Sequence, residues 1–351
     1  GQKSFTYTPP TGFEALQQDN LPESSKGVSG LVWTKNRDAT DNHQLYDSSR
    51  GKQKDLHPNT TDQEGTTTDG LQKFLIGGQQ IEDDVSINTS GESFVSWNWV
   101  GNSGTTATND ASSTGVGTID STYQVNSDAG FSIVEYTGTG SAGTVKHGLS
   151  SAPDWFMVKE TSNANTWIVS HKGLTSQATY SLGLNQTNAE YSDAGTYYWN
   201  STAPTSSVFS LATDTAVNGS GRTYVAYCWH EVDGFSKFGS YTGNGNADGP
   251  FVYTGFKPAW LMIKRRDVAN SWGINDSTRN PFNPAKQILW AEGTYADEDR
   301  ADRPIDLLSN GYKVRAVSTE TNCNTSGGIY IYMSFAEHPF LGDGTNPVTA
   351  R

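Results

Sequence analysis

Carboxylates are the first side chains in this sequence that could do chemistry. Glu82-Asp83-Asp84 and Asp297-Glu298-Asp299, with Asp302, have the residue types for calcium or for an acid/base pair. Both runs sit in turn-like surroundings and do not recur at matched places, so solvated loops are expected. Asn244-Gly-Asn246-Ala-Asp248-Gly249 has the front half of a calcium loop, but its twelfth position is Gly255 where a bidentate Glu is needed. A hairpin turn is the better expectation. The histidines, His43, His57, His147, His171, His230 and His338, show no metal-ligand spacing, and Cys228 and Cys323 are not at equivalent positions. Whether those cysteines pair stays open. There is no Gly-x-Ser-x-Gly elbow and no phosphate loop. The expectation is a non-enzyme: no catalytic residues, no cofactor, no metal.

Two other features are candidates for contact. Asn-x-Ser/Thr sites begin at Asn59, Asn88, Asn185, Asn200, Asn218, Asn275 and Asn324. Turn chemistry accounts for many of them, and glycosylation on exposed turns would also fit. Tyr197-Tyr198-Trp199 has no match elsewhere in the chain and is the candidate patch for a glycan or protein partner. Trp155 and Trp260 stand near Pro153 and Pro258 at similar places and read as structural.

The elements that carry these residues form a repeat. Asn88-Thr-Ser-Gly, Asn218-Gly-Ser-Gly and Asn324-Thr-Ser-Gly each lead into a strand. One face of that strand is apolar in all three: Val95/Trp97/Trp99, Val225/Tyr227/Trp229 and Ile331/Met333/Phe335. Period two with one apolar face is a half-buried strand. Lys35, Lys159 and Lys264 end equivalent strands, and twelve residues later stand Asp47, His171 and Asp276. His171 replaces an Asp at its position, which therefore reads as a polar loop site. No long stretch has helical periodicity. The expected class is all-β: tandem β-sandwiches of jelly-roll type.

The expected organisation is an N-terminal extended segment (1–27), an incomplete first repeat (28–100), a Gly/Ser/Thr-rich linker (101–129), repeats two (130–233) and three (234–340), and a tail (341–351). The first repeat has no match for the opening strands near Phe131 and Phe235. Phe5-Thr6-Tyr7-Thr8 is a short strand stopped by Pro9-Pro10, and it needs a sheet to join. It would fill the gap in cis, or in trans on a neighbouring copy. Repeats two and three would be one rigid unit, with the first hinged on the linker. Net charge is −13, which argues against a nucleic-acid partner or an anionic membrane. No run of apolar residues is long enough to span a bilayer, so no membrane insertion is expected.

Several segments resemble a known family. They are Phe131-Ser-Ile-Val-x-Tyr-Thr-Gly-Thr-Gly140, Trp199-Asn-Ser-Thr-Ala-Pro-Thr-Ser-Ser-Val-Phe209, Phe238-Gly-Ser-Tyr-Thr-Gly-Asn-Gly245 and Gly249-Pro-Phe-Val-Tyr-Thr-Gly-Phe256. Ser309-Asn-Gly-Tyr312 and Tyr330-Ile-Tyr-Met-Ser-Phe-Ala-Glu-x-Pro-Phe340 fit as well. Together they resemble a repeated domain of unknown function in virion-associated proteins of tailed phages, marine ones especially. Residues 4–21 resemble the last strand of a SPRY-like sandwich whose body is absent. The resemblance implies location on a virion or outside a cell, and architecture, without an activity. The leading expectation is a non-enzymatic structural subunit of an extracellular or virion-borne fibre that binds copies of itself. The alternative is a glycan-binding receptor-recognition module of a phage tail fibre.

Overall fold

The computed structural model describes residues 29–75, 78–102, 106–192, 197–317 and 323–338. The candidate strand Phe5–Thr8 and the tail 341–351 lie outside them. The fold is all-β, built from antiparallel sheets with only three four-residue helical turns among the described residues.

Each repeat is organised on the same three strands. The central ones are Ser29–Asn36, Trp155–Glu160 and Pro258–Arg265. On one side of each lies a side strand: Gln44–Asp47, Ile168–His171 or Trp272–Asp276. On the other lies the closing strand: Phe94–Asn102, Thr223–Trp229 or Ile329–Ala336. The registers coincide. Leu31 pairs with Asp47 and Trp99, Trp155 with His171 and Trp229, Trp260 with Asp276 and Phe335. In repeats two and three the closing strand has an opening strand on its far edge, Phe131–Thr137 and Ser236–Thr242. Among the described residues of the first repeat that edge has no strand.

The main sheets have two faces of different kind, and the outer one of the first repeat is covered only in part. The outer faces pack on small second sheets within their own repeat. Phe209 and Leu211 cover Val134, Phe156 and Val158 in repeat two; Ile305, Tyr312 and Val314 cover Leu261 and Ile263 in repeat three. The first repeat has a smaller outer cluster of Val32, Tyr46, Leu71, Phe74 and Ile87. The inner faces do something the sequence did not announce. The apolar stripes of all three closing strands enter one shared core, with Trp33, Trp155, Trp260, Trp167 and Trp272. Trp99 packs edge-on against Trp229, Trp260 and Phe335, joining all three repeats at ring-centroid distances of 6.1, 5.5 and 5.6 Å.

The three sandwiches are thus arranged around one pseudo-threefold core, not in a row. This corrects the expectation of a first repeat hinged on a linker. The segment 101–129 is not a linker either. Residues Ala107–Asn109 and Ser121–Asn126 are strands that extend the sheet of repeat two beyond its opening strand. Thr and Ser suit an edge strand whose backbone ladder, not apolar burial, holds it in place.

Candidate functional site

Two cavities among the described residues lie where repeats meet. Both follow from how the ring closes.

Closure uses equivalent positions in cyclic order. Trp167 of repeat two donates its indole N–H to His57 O of repeat one at 2.9 Å. Trp272 of repeat three donates to Gly183 O of repeat two at 3.0 Å. His43 of repeat one donates from Nε2 to Trp290 O of repeat three at 3.1 Å. His43 can do so because its Nδ1 accepts from the Trp33 indole, which fixes the tautomer. Backbone bonds repeat the pattern: Glu64 N to Thr161 O, Glu190 N to Arg266 O, Asp297 N to Arg37 O. A third set comes from Asp47, His171 and Asp276, all buried. Asp47 accepts from the Tyr227 hydroxyl, His171 Nε2 donates to Tyr332 O, and Asp276 accepts from the Trp97 indole. His171 is therefore a junction residue, not a polar loop site.

The three equivalent lysines are fully buried. Lys159 donates to Asn165 O of its own loop and Thr61 O of repeat one; Lys264 donates to Asn270 O and to Thr187 O of repeat two. Burial lowers the ammonium groups of Lys35 and Lys159 to about 8 and that of Lys264 to about 7.

The first cavity, about 680 Å³, straddles the pseudo-threefold axis. Its lining includes the equivalent residues Asn59, Asn185 and Glu292, and Tyr295 at its rim is 58% exposed. Asn59, Asn185 and Glu292 accept the backbone N–H of His43, Trp167 and Trp272. The result is a bowl of amides and hydroxyls with a single carboxylate, Glu292, whose pKa burial raises.

The second cavity, about 450 Å³, lies between repeats one and two. Arg50, Glu64 and Ser49 face it from repeat one, and Glu135, Thr161 and Thr223 from repeat two. Four of the five Arg50 N–H donors go to Asp47, Glu64, Lys54 O and Leu45 O. The Glu135 Oε1 and Ser49 Oγ atoms are out of solvent and have no hydrogen-bond partner among the described residues. Burial, and then the negative charge of Asp47, push the Glu135 carboxyl up to about 7.

Comparison with family models found one match, a domain of unknown function, DUF7483, over residues 19–339. The chain belongs to the DUF7483 family. One match spans all three repeats, as expected if the DUF7483 unit is the whole ring. Comparison with curated proteins and with solved structures found no match.

The residues singled out in the DUF7483 sequence fall as follows. Trp199 is 1% exposed and packs on Phe156 in the outer core of repeat two, Tyr198 is half-buried, and only Tyr197, at 57%, faces solvent. That triplet is not a surface patch. The sequon asparagines Asn218, Asn275 and Asn324 are buried, not exposed. Asn218 Nδ2 donates to Ser141 O and Ala212 O, and its Oδ1 accepts Thr139 N. Asn324 makes the matching bonds to Asn246 O, Ala316 O and Asn244 N. A sugar on either Nδ2 would take away those bonds, so both positions are clamps on the neighbouring loop. Asn59 and Asn185 serve the axial bowl, and Asn88 binds Glu82 O. Asn200 alone of the seven is exposed.

The loops read as calcium candidates are occupied by their own turns. Asp248 N donates to Asn246 Oδ1 and Asn246 N to Asn244 Oδ1. Asp84 caps a helical turn through Ser86 N. Asp297 is not a solvated loop residue: its carboxylate is 8% exposed and holds Arg37 and Arg279. Cys228 and Cys323 are buried in separate cores and do not pair with each other. No helix among the described residues is long and apolar enough to cross a membrane.

Proposed function

We propose that the chain is a non-enzymatic structural subunit of an extracellular or virion-borne fibre, assembling with its own copies by strand addition on the first repeat. One observation carries the reading. The edge of the closing strand Phe94–Asn102 has no partner among the described residues, whereas both siblings have one. Its outer face is exposed at Ser96, Asn98 and Val100, while Ala226, Cys228, Tyr332 and Ser334 are buried. An open edge of this length is a template for another strand. Phe5–Thr8 of a neighbouring copy is the proposed donor. Deleting residues 1–20 tests it: the account expects loss of assemblies by light scattering and microscopy. Assemblies of unchanged size and geometry would contradict it.

A second reading, recognition of glycans, is favoured by the axial bowl, since planar amides beside an exposed aromatic suit sugar hydroxyls and ring faces. A glycan array tests it, with Tyr295→Ala expected to abolish any hit. An empty array, or hits that survive the substitution, would remove it.

A further inference from the structure

One matched place in the three junctions carries Arg37, Arg266 or Thr161, and there the third junction lacks a cation. At the junction of repeats three and one, the Arg37 guanidinium donates to Asp297 at 3.0 Å. At the junction of two and three, Arg266 stands at the equivalent place and pairs with Glu190. At the junction of one and two the equivalent acid is Glu64, and the backbone bond from Glu64 N to Thr161 O is kept. The side chain there is Thr161. The guanidinium is missing, and the cavity of about 450 Å³ opens at that junction.

The rest of the lining fits a missing cation. One guanidinium, Arg50, faces three carboxylates: Glu64, Asp120 and Glu135. Arg50 has spent four of its five N–H donors inside the protein, so it offers at most one to an anion. Asp120 Oδ1 accepts Ala111 N. Lys54 reaches Glu64 Oε1 at 3.4 Å from the surface but does not line the cavity. Glu135 Oε1 and Ser49 Oγ have no partners among the described residues, and buried acceptors are rarely left so.

We propose that this cavity binds a ligand bearing a guanidinium or alkylammonium group, which takes the place that Arg37 and Arg266 fill at the other two junctions. The cation donates to Glu64 and Glu135, and the ring of hydroxyls from Thr108, Thr122 and Thr137 surrounds its stem. Both a free small cation and an arginine side chain of another chain present this chemistry.

The test is a titration of the full chain with methylguanidinium, followed by NMR, with neutral methylurea as the isostere. Saturable shifts at Glu64, Glu135 and Thr161 are expected, with methylurea at least about tenfold weaker, as charge-assisted bonds require. Glu135 titrates facing Arg50, Asp47 and Glu64, and its carboxyl is held near neutrality. Binding should therefore weaken as pH falls below about 7, and this pH dependence should vanish in Glu135→Gln. Thr161→Arg should fill the site in cis and block binding. An arginine-containing peptide that binds about tenfold or more above methylguanidinium would assign the source to another chain; equal affinity would assign it to a free cation. Equal response to methylurea and methylguanidinium, or a folded Thr161→Arg that binds unchanged, would overturn the proposal. Should Thr161→Arg not fold, unchanged affinity and pH profile in Glu135→Gln would do so.

Discussion

The first and third repeats carry the same buried triad and use it differently. In repeat three, Arg279 joins Asp276 and Asp297, lies over the Trp97 ring, and is closed off by Arg37. In repeat one, Arg50 joins Asp47 and Glu64 at matched positions, but Thr161 leaves its flank open. A shared motif thus makes a sealed joint in one place and a cavity in another. The equivalent position in repeat two has neither, because His171 replaces the aspartate and Leu174 the arginine. What repeats in this chain is the joint between sandwiches as much as the sandwich itself.

The largest break in that comparison should come from Arg279→Ala. It leaves the buried Asp276 without its cation and takes one of two from Asp297, so a loss of about 3–5 kcal/mol is expected in urea unfolding. Trp99→Ala should cost a similar ~3–5 kcal/mol, because Trp99 touches aromatics of the other two repeats. In both variants the whole transition should shift, not a fraction of it. Loss of a first-repeat fraction only would mean that repeat one folds apart.

Asn324→Ala and Asn218→Ala come next, at about 2–3 kcal/mol each, since each amide holds three backbone groups, one of them in a buried bond. Asn88→Ala should cost under about 1 kcal/mol, because its repeat has no opening-strand loop to clamp among the described residues. Thermal denaturation of the three variants measures the difference.

Acid should loosen the ring at the histidines. Burial holds His43 and His171 down at about 3 and His147 at about 4. Each has Nδ1 accepting and Nε2 donating, so there is no room for a second ring proton. The unfolded chain takes up these protons near pH 6.5, while the folded chain does not. Stability from these groups is present above that pH and falls as pH drops through it. His171→Asn should flatten the slope between about pH 4 and 6. An unchanged slope would place the effect elsewhere. The smallest change expected is from Thr161→Arg, a gain of up to about 1 kcal/mol, the worth of a partly exposed pair.

Much of the repeat was legible in the sequence. The alternation of Val225, Tyr227 and Trp229 with Ala226 and Cys228 showed the closing strand, and the constant spacing from Lys35, Lys159 and Lys264 to Asp47, His171 and Asp276 showed that the three repeats share one topology. Closure was not legible, because the acceptors across junctions are the backbone carbonyls of His57, Gly183 and Trp290, which leave no mark in side-chain type. The polar stretch 101–129 looked like a linker because an edge ladder needs no apolar period. Trp199 looked exposed because aromatics in a polar run suit either a surface or an outer core. The buried sequons misled for a related reason: an Asn that clamps a loop has the same neighbours as one that carries a sugar.

The central statement is that three sandwiches share one core and unfold together. Native-state hydrogen exchange under rising urea tests it most directly, on the amides of Trp33, Met157 and Met262 in the three central strands. The account predicts that all three exchange with one free energy and one urea dependence. Exchange at Trp33 through a markedly cheaper opening, with Met157 and Met262 unaffected, would contradict it.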